Sequence, residues 1–73
     1  MSEIKMKAVQ SSNLESIGYD KVNKILQVKF IGNGVYQYYD VPATVYTEFC
    51  NAPSLGSYLQ KHIRNKYKYN KIL

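Results

Sequence analysis

The chain has 73 residues, 45% hydrophobic and 21% charged, the balance of a single globular domain rather than a disordered segment. A domain this short buries only about 60% of its unfolded surface, which leaves room for one sheet and one or two helices and argues against a deep enclosed active site. A net charge of +5 favours an anionic partner, the single cysteine Cys50 excludes an internal disulfide, and no apolar run approaches the ~18 residues of a membrane-spanning helix.

In chain order, residues 1–8 show no clear period and are expected to be flexible. Val9-Gln10-Ser11-Ser12-Asn13 reads as a turn or irregular edge, because Ser and Asn side chains bond to nearby backbone groups. Leu14 to Asp20 is a predicted first strand, followed by a hairpin loop at Asp20-Lys21-Val22-Asn23. Lys24 to Ile31 is the second strand, in which Leu26, Val28 and Phe30 alternate with Gln27 and Lys29. Gly32-Asn33-Gly34 closes a second hairpin, since Gly and Asn tolerate the positive φ of such turns. Val35 to Val41 is the third strand, rich in β-branched and aromatic residues and ended by Pro42.

The period of two sorts these strands into faces. Ile17, Tyr19, Leu26, Val28, Phe30, Tyr36 and Tyr38 form the apolar face, assigned to the core. Gly18, Ile25, Gln27, Lys29, Val35, Gln37 and Tyr39 form the other, expected to be open.

Pro42 opens a first helix with Val45, Tyr46, Phe49 and Cys50 on one stripe. Asn51-Ala52-Pro53 breaks it, and Ser54 caps a second helix that places Leu55, Tyr58, Leu59, His62 and Ile63 inward. Gly56 in its first turn implies a close approach by another group. The expected fold is therefore α+β, a three-stranded antiparallel meander followed by two helices packed on one face, β-β-β-α-α, in one domain.

Residues 1–60 carry five basic and five acidic side chains. The whole imbalance lies in residues 61–73, with Lys61, Arg64, Lys66, Lys68 and Lys71 and no carboxylate side chain. Tyr67 and Tyr69 interleave with these cations; basic groups alternating with aromatics offer phosphate contacts and base stacking together. The alternative reading makes the same lysines a solvated end that serves solubility, with the two tyrosines folding back to complete the core.

Ser11-Ser12, Ile17-Gly18-Tyr19, the central Tyr36-Gln37-Tyr38, the Val41-Pro42 exit, Ser54-x-Gly56 and the Ile63 region, in this order and spacing, resemble the KTSC domain family. The resemblance covers roughly residues 9–69, nearly the whole chain. It implies a small domain of the kind found at the C-terminus of some lysyl-tRNA synthetases and as stand-alone bacterial and phage proteins. It implies no catalytic residues, and it brings RNA binding forward as the role.

The residues themselves argue against catalysis. Cys50 and His62 both fall on inward stripes and read as filler, the carboxylates form no close pair, and one His with one Cys makes no metal site. Gly32-Asn33-Gly34 joins two strands and lacks the Lys-Ser/Thr and helix of a phosphate loop. Tyr36 and Tyr38 read as core aromatics, with a base-stacking platform as the alternative. The expectation is a non-enzymatic, cofactor-free cytoplasmic module binding RNA or single-stranded nucleic acid. Lys61, Arg64, Lys66, Lys68, Lys71 and Lys29 would contact phosphates, and Tyr67, Tyr69 and Tyr39 would stack. The alternative is a protein–protein adaptor of phage derivation, using the open sheet face or the tail against an acidic partner.

Overall fold

The structure, a computed structural model, describes residues 4–73. Its strands are β1 (Lys7–Ala8), β2 (Leu14–Asp20), β3 (Ile25–Phe30), β4 (Gly34–Tyr38) and β5 (Tyr69–Lys71). Between β4 and β5 lie α1 (Ala43–Cys50) and α2 (Leu55–Tyr58), the latter continued by a π-helical turn over Leu59–Ile63. The strands form one antiparallel sheet in the order β1-β2-β3-β4-β5.

The sheet thus has five strands where three were expected. The extra two sit at its edges, and neither carries an apolar alternation. β1 is two exposed residues that pair with Ile17 and Ser16, so the expected flexibility of residues 1–8 does not extend to Lys7 and Ala8; residues 1–3 lie outside the described residues. β5 is wholly exposed and pairs Tyr36 with Lys71, Gln37 with Asn70 and Tyr38 with Tyr69. The basic tail is a strand for part of its length rather than a free end.

The turns follow their chemistry. The Asp20 carboxylate accepts from the backbone N–H groups of Val22 (3.0 Å) and Asn23 (3.2 Å), and the loop closes through Lys24 at φ 57°. Gly32 and Gly34, at φ 73° and 89°, turn β3 into β4. β4 stops at Tyr38, short of the expected Val41, because Asp40 adopts φ 58° and breaks the extended run. Pro42 follows as the N-cap of α1, and its carbonyl accepts from Val45 and Tyr46.

The apolar face falls where the alternation puts it. Ile17, Leu26, Val28 and Tyr38 are buried under the helices, joined by Leu14, Val41, Phe49, Leu59 and Ile63. A bulge between Leu14 and Ser16 turns Leu14 onto this face as well. Phe30 and Tyr36 pack against the core but remain partly exposed. Tyr19 stacks on Tyr46 of α1 with centroids 4.8 Å apart, and its hydroxyl donates to the Val41 carbonyl.

The second face is less open than expected. At Gly18 an added Cβ would lie 2.7 Å from Ile4 Cγ2 and 2.9 Å from Met6 Sδ, so the N-terminal segment crosses the sheet there. Beyond it runs a polar chain: Tyr39 Oη donates to Gln37 Oε1 (3.2 Å), Gln37 Nε2 to Gln27 Oε1 (2.8 Å), and Gln27 Nε2 to Met6 Sδ (3.5 Å).

Candidate nucleic-acid interface

The helix-side face of β3, β4 and β5 does not close fully against α2 and the turn that follows it. The gap is a cleft of about 130 Å³. Its aromatic surface comes from Phe30, Tyr36, Tyr38 and Tyr69. Tyr36 meets Phe30 edge-on at 5.2 Å, and Tyr69 lies 5.9 Å from Tyr36 and 5.6 Å from Tyr38. The β4–β5 register explains the grouping, since cross-strand partners share a face and Tyr38 pairs with Tyr69.

The other wall is polar, from Asn13, Asn33, Gln60 and Arg64. Gln60 lies within the π-turn and Arg64 at its end. The Arg64 N–H bonds to the Leu59 carbonyl at 2.7 Å, an i to i+5 closure that inserts one residue into the helical repeat. Leu59 and Ile63 stay buried while Gln60 and Arg64 stay exposed. The same offset corrects the expected inward stripe: His62 is exposed, its ring 4.6 Å from that of Tyr58.

Burial pushes the Tyr38 phenol above its ordinary range, and the Arg64 guanidinium pulls it partly back. At neutral pH Tyr38 is therefore an uncharged donor, and Arg64 carries the positive charge of the cleft. Among the described residues no Asp or Glu lines it. Two further concavities adjoin. One, of about 390 Å³, runs between Gln10-Ser11-Ser12-Asn13 and Pro53-Ser54-Leu55-Gly56-Ser57 and shares Asn13, Gly56 and Gln60 with the cleft. Gly56 is crowded as expected, with Asn13 Nδ2 3.1 Å from where a Cβ would stand. The other is a shallow depression formed by Gln60, Lys61, Arg64 and Asn65.

The structure divides the predicted contact residues. Arg64 and Tyr69 meet at the cleft, Lys61 borders it through the shared depression, and Lys71 lies on the same face by its pairing with Tyr36. Lys66 and Lys68 are exposed on the connection into β5, where the Lys68 carbonyl accepts from Tyr39 N–H. Tyr67 is half-buried against the core, as the fold-back reading has it. Lys29 and Tyr39 lie on the opposite face. Lys29 Nζ is 3.0 Å from Glu15 Oε2, the one ion pair among the described residues. By sequence, Asn13 and Asn33 take turn roles, and none of Asn13, Asn33 and Gln60 is named as a contact residue. The Asn13 neighbourhood was visible in Ser11-Ser12 and Gly56, whereas Gln60 is an ordinary exposed amide with no sequence signal.

Elsewhere, Cys50 is half-buried beside Tyr46, whose hydroxyl is pushed up to about 12 by burial and its hydrogen bond with Cys50. Among the described residues no group of three or more His, Cys, Asp or Glu side chains is placed to hold a metal ion, and no helix is long and apolar enough to cross a membrane.

Fold and cleft together define a small α+β domain, a five-stranded meander with two helices on one face and an aromatic, cation-edged cleft between the layers. Residues 10–67 match the KTSC domain, and the chain belongs to that family. It is 36% identical over 63 residues to a lysine–tRNA ligase of Trichormus variabilis, covering 86% of this chain and 11% of that protein. The chain thus spans about a tenth of the length of that ligase. It is also 37% identical over 70 residues to a small protein of Stutzerimonas stutzeri, covering 94% of this chain and 99% of that one. The crystal structure of a KTSC domain protein from Yersinia pestis superposes with a TM-score of 0.94 at 35% identity, over 97% of this chain and all of that one.

Proposed function

We propose that this domain is a non-enzymatic module that binds RNA or single-stranded nucleic acid through the helix-side cleft and the cations around it. One observation carries the reading: Arg64 and Tyr69 meet Tyr36 and Tyr38 in one cleft that no Asp or Glu among the described residues lines, while Lys61, Arg64, Lys66, Lys68 and Lys71 are all exposed. Exposed cations beside accessible aromatic rings suit a flexible strand, whose phosphates and bases are both presented. The likeness to part of a lysine–tRNA ligase supports an RNA partner.

The test is binding of a single-stranded oligoribonucleotide as salt is varied. If about four of the five cations engage phosphates, the log–log slope is near −0.7 per contact, or roughly −3. Changing Lys66, Lys68 and Lys71 to Gln flattens that slope and weakens all sequences about equally. Absence of binding at low salt, or a slope that survives removal of the three lysines, refutes the reading. Those outcomes favour an acidic protein partner, which the same cations would attract.

A further inference from the structure

We infer that the cleft between Tyr36, Tyr38 and Tyr69 receives one unpaired base, with the Gln60 amide against the base edge and Arg64 against the adjoining phosphate. This deepens the nucleic-acid reading and rests on it. Size is the first argument. About 130 Å³ lies well below the roughly 300–1,000 Å³ of sites for drug-sized ligands, so the cleft suits a single ring system and not a longer stack.

Chemistry is the second. Tyr69 is 51% exposed although its ring packs toward Tyr36 and Tyr38, so an aromatic surface remains accessible at the cleft mouth. A base buried there must also satisfy its edge, and an amide provides both a donor and an acceptor for that purpose. Gln60 lines the cleft, the polar groove and the basic depression alike. The three concavities therefore converge on one side chain. A strand can place a base in the cleft while its backbone passes over Gln60 toward Lys61 and Arg64. Bases within a duplex are paired and stacked, so the cleft selects single strands.

The experiment compares three probes by fluorescence anisotropy: a single-stranded oligoribonucleotide, its abasic counterpart of equal length, and the same sequence as a duplex. The abasic strand and the duplex are expected to bind at least about tenfold more weakly than the intact single strand, the scale of one lost stacked base. Gln60→Ala, at an exposed position that leaves the core intact, should weaken the intact strand by about tenfold without changing the salt slope. Arg64→Gln should instead reduce the slope by about 0.7. Equal binding of the abasic and intact strands, or no effect of Gln60→Ala, overturns the base site while leaving phosphate-driven binding in place. No binding of any probe removes both.

Discussion

Phe49 and Phe30 provide a paired test of where the core lies. Phe49 is fully buried, at 0% exposure, between α1 and the sheet, with Tyr58 at 5.8 Å. Truncating such a ring to alanine costs about 3–5 kcal/mol, from lost transfer energy and the cavity left behind. A domain of 73 residues has roughly 4–11 kcal/mol in total, at about 0.05–0.15 kcal/mol per residue. Phe49→Ala should therefore leave the protein at the margin of folding. At about 4–8 °C per kcal/mol, the melting temperature should fall by roughly 12–40 °C. Phe30 completes the alternation of β3 and looks equivalent in sequence, but it lines the cleft and is only half-buried. Its loss removes part of a ring's burial and one edge-on contact with Tyr36, for about 1–2 kcal/mol. Thermal melts followed by circular dichroism, with urea titrations alongside, measure both. Phe30→Ala as damaging as Phe49→Ala, or Phe49→Ala melting within a few degrees of the parent, would refute this account of the core.

Gly18→Ala should displace the N-terminal segment, because the new methyl would collide with the Lys5 carbonyl as well as with Ile4 and Met6; amide exchange at Val9, which bonds to Glu15 O, should accelerate, and unchanged protection would contradict the docking. Tyr19, Tyr38, Tyr46 and Tyr58 all hold their protons more tightly in the fold than at the ordinary value of 10. Folded pKa values above the unfolded ones give stability that is complete below pH 10 and lost as pH rises toward about 12, the value for Tyr46, so denaturant midpoints should drop across that window and stay level just below it. Cys50→Ala removes the partner that helps raise Tyr46, so spectrophotometric titration should show a tyrosine moving down toward 10; a titration curve identical to the parent's would show the pair to be uncoupled. Native Cys50, half-buried, should react slowly with a thiol reagent and quickly in denaturant, and fast native labelling would reopen nucleophilic chemistry at this position.

The parts of the fold legible in sequence are those whose periodicity is enforced by burial. Leu26, Val28 and Phe30 alternate because one face of β3 meets the core, and β2 runs from Leu14 to Asp20 as its residues indicate. Ser54 accepts from Ser57 N–H at 3.4 Å, a cap readable from residue type alone. The edge strands escaped notice for the opposite reason. Tyr69-Asn70-Lys71 has no buried face, so nothing in its pattern separates a strand from a solvated tail; only pairing with Tyr36, Gln37 and Tyr38 reveals it. The π-turn is still less visible, since it depends on how Leu59 and Ile63 settle into the core, and it moved His62 outward. Within the candidate site, Arg64 and Tyr69 were legible from charge and aromaticity, whereas the amides of Gln60 and Asn33 were not, because an amide looks like any other surface residue until a cavity surrounds it.

The division of side chains between the two layers bears on how so thin a domain can hold both a core and a cleft. Tyr38 is 2% exposed and belongs to the core, yet it also lines the cleft floor; Tyr36 and Phe30 divide their surface between the two. One layer of aromatics thus both fills the core and lines the cleft, and substituting any of them alters both. On the helical side the duties separate. Leu59 and Ile63 face inward while Gln60 and Arg64, one residue further along at the same interval of four, line the cleft. Changes at the exposed Gln60 and Arg64 therefore reshape the cleft at little cost to the fold, and under the proposed reading they are the positions at which binding and stability can be measured apart.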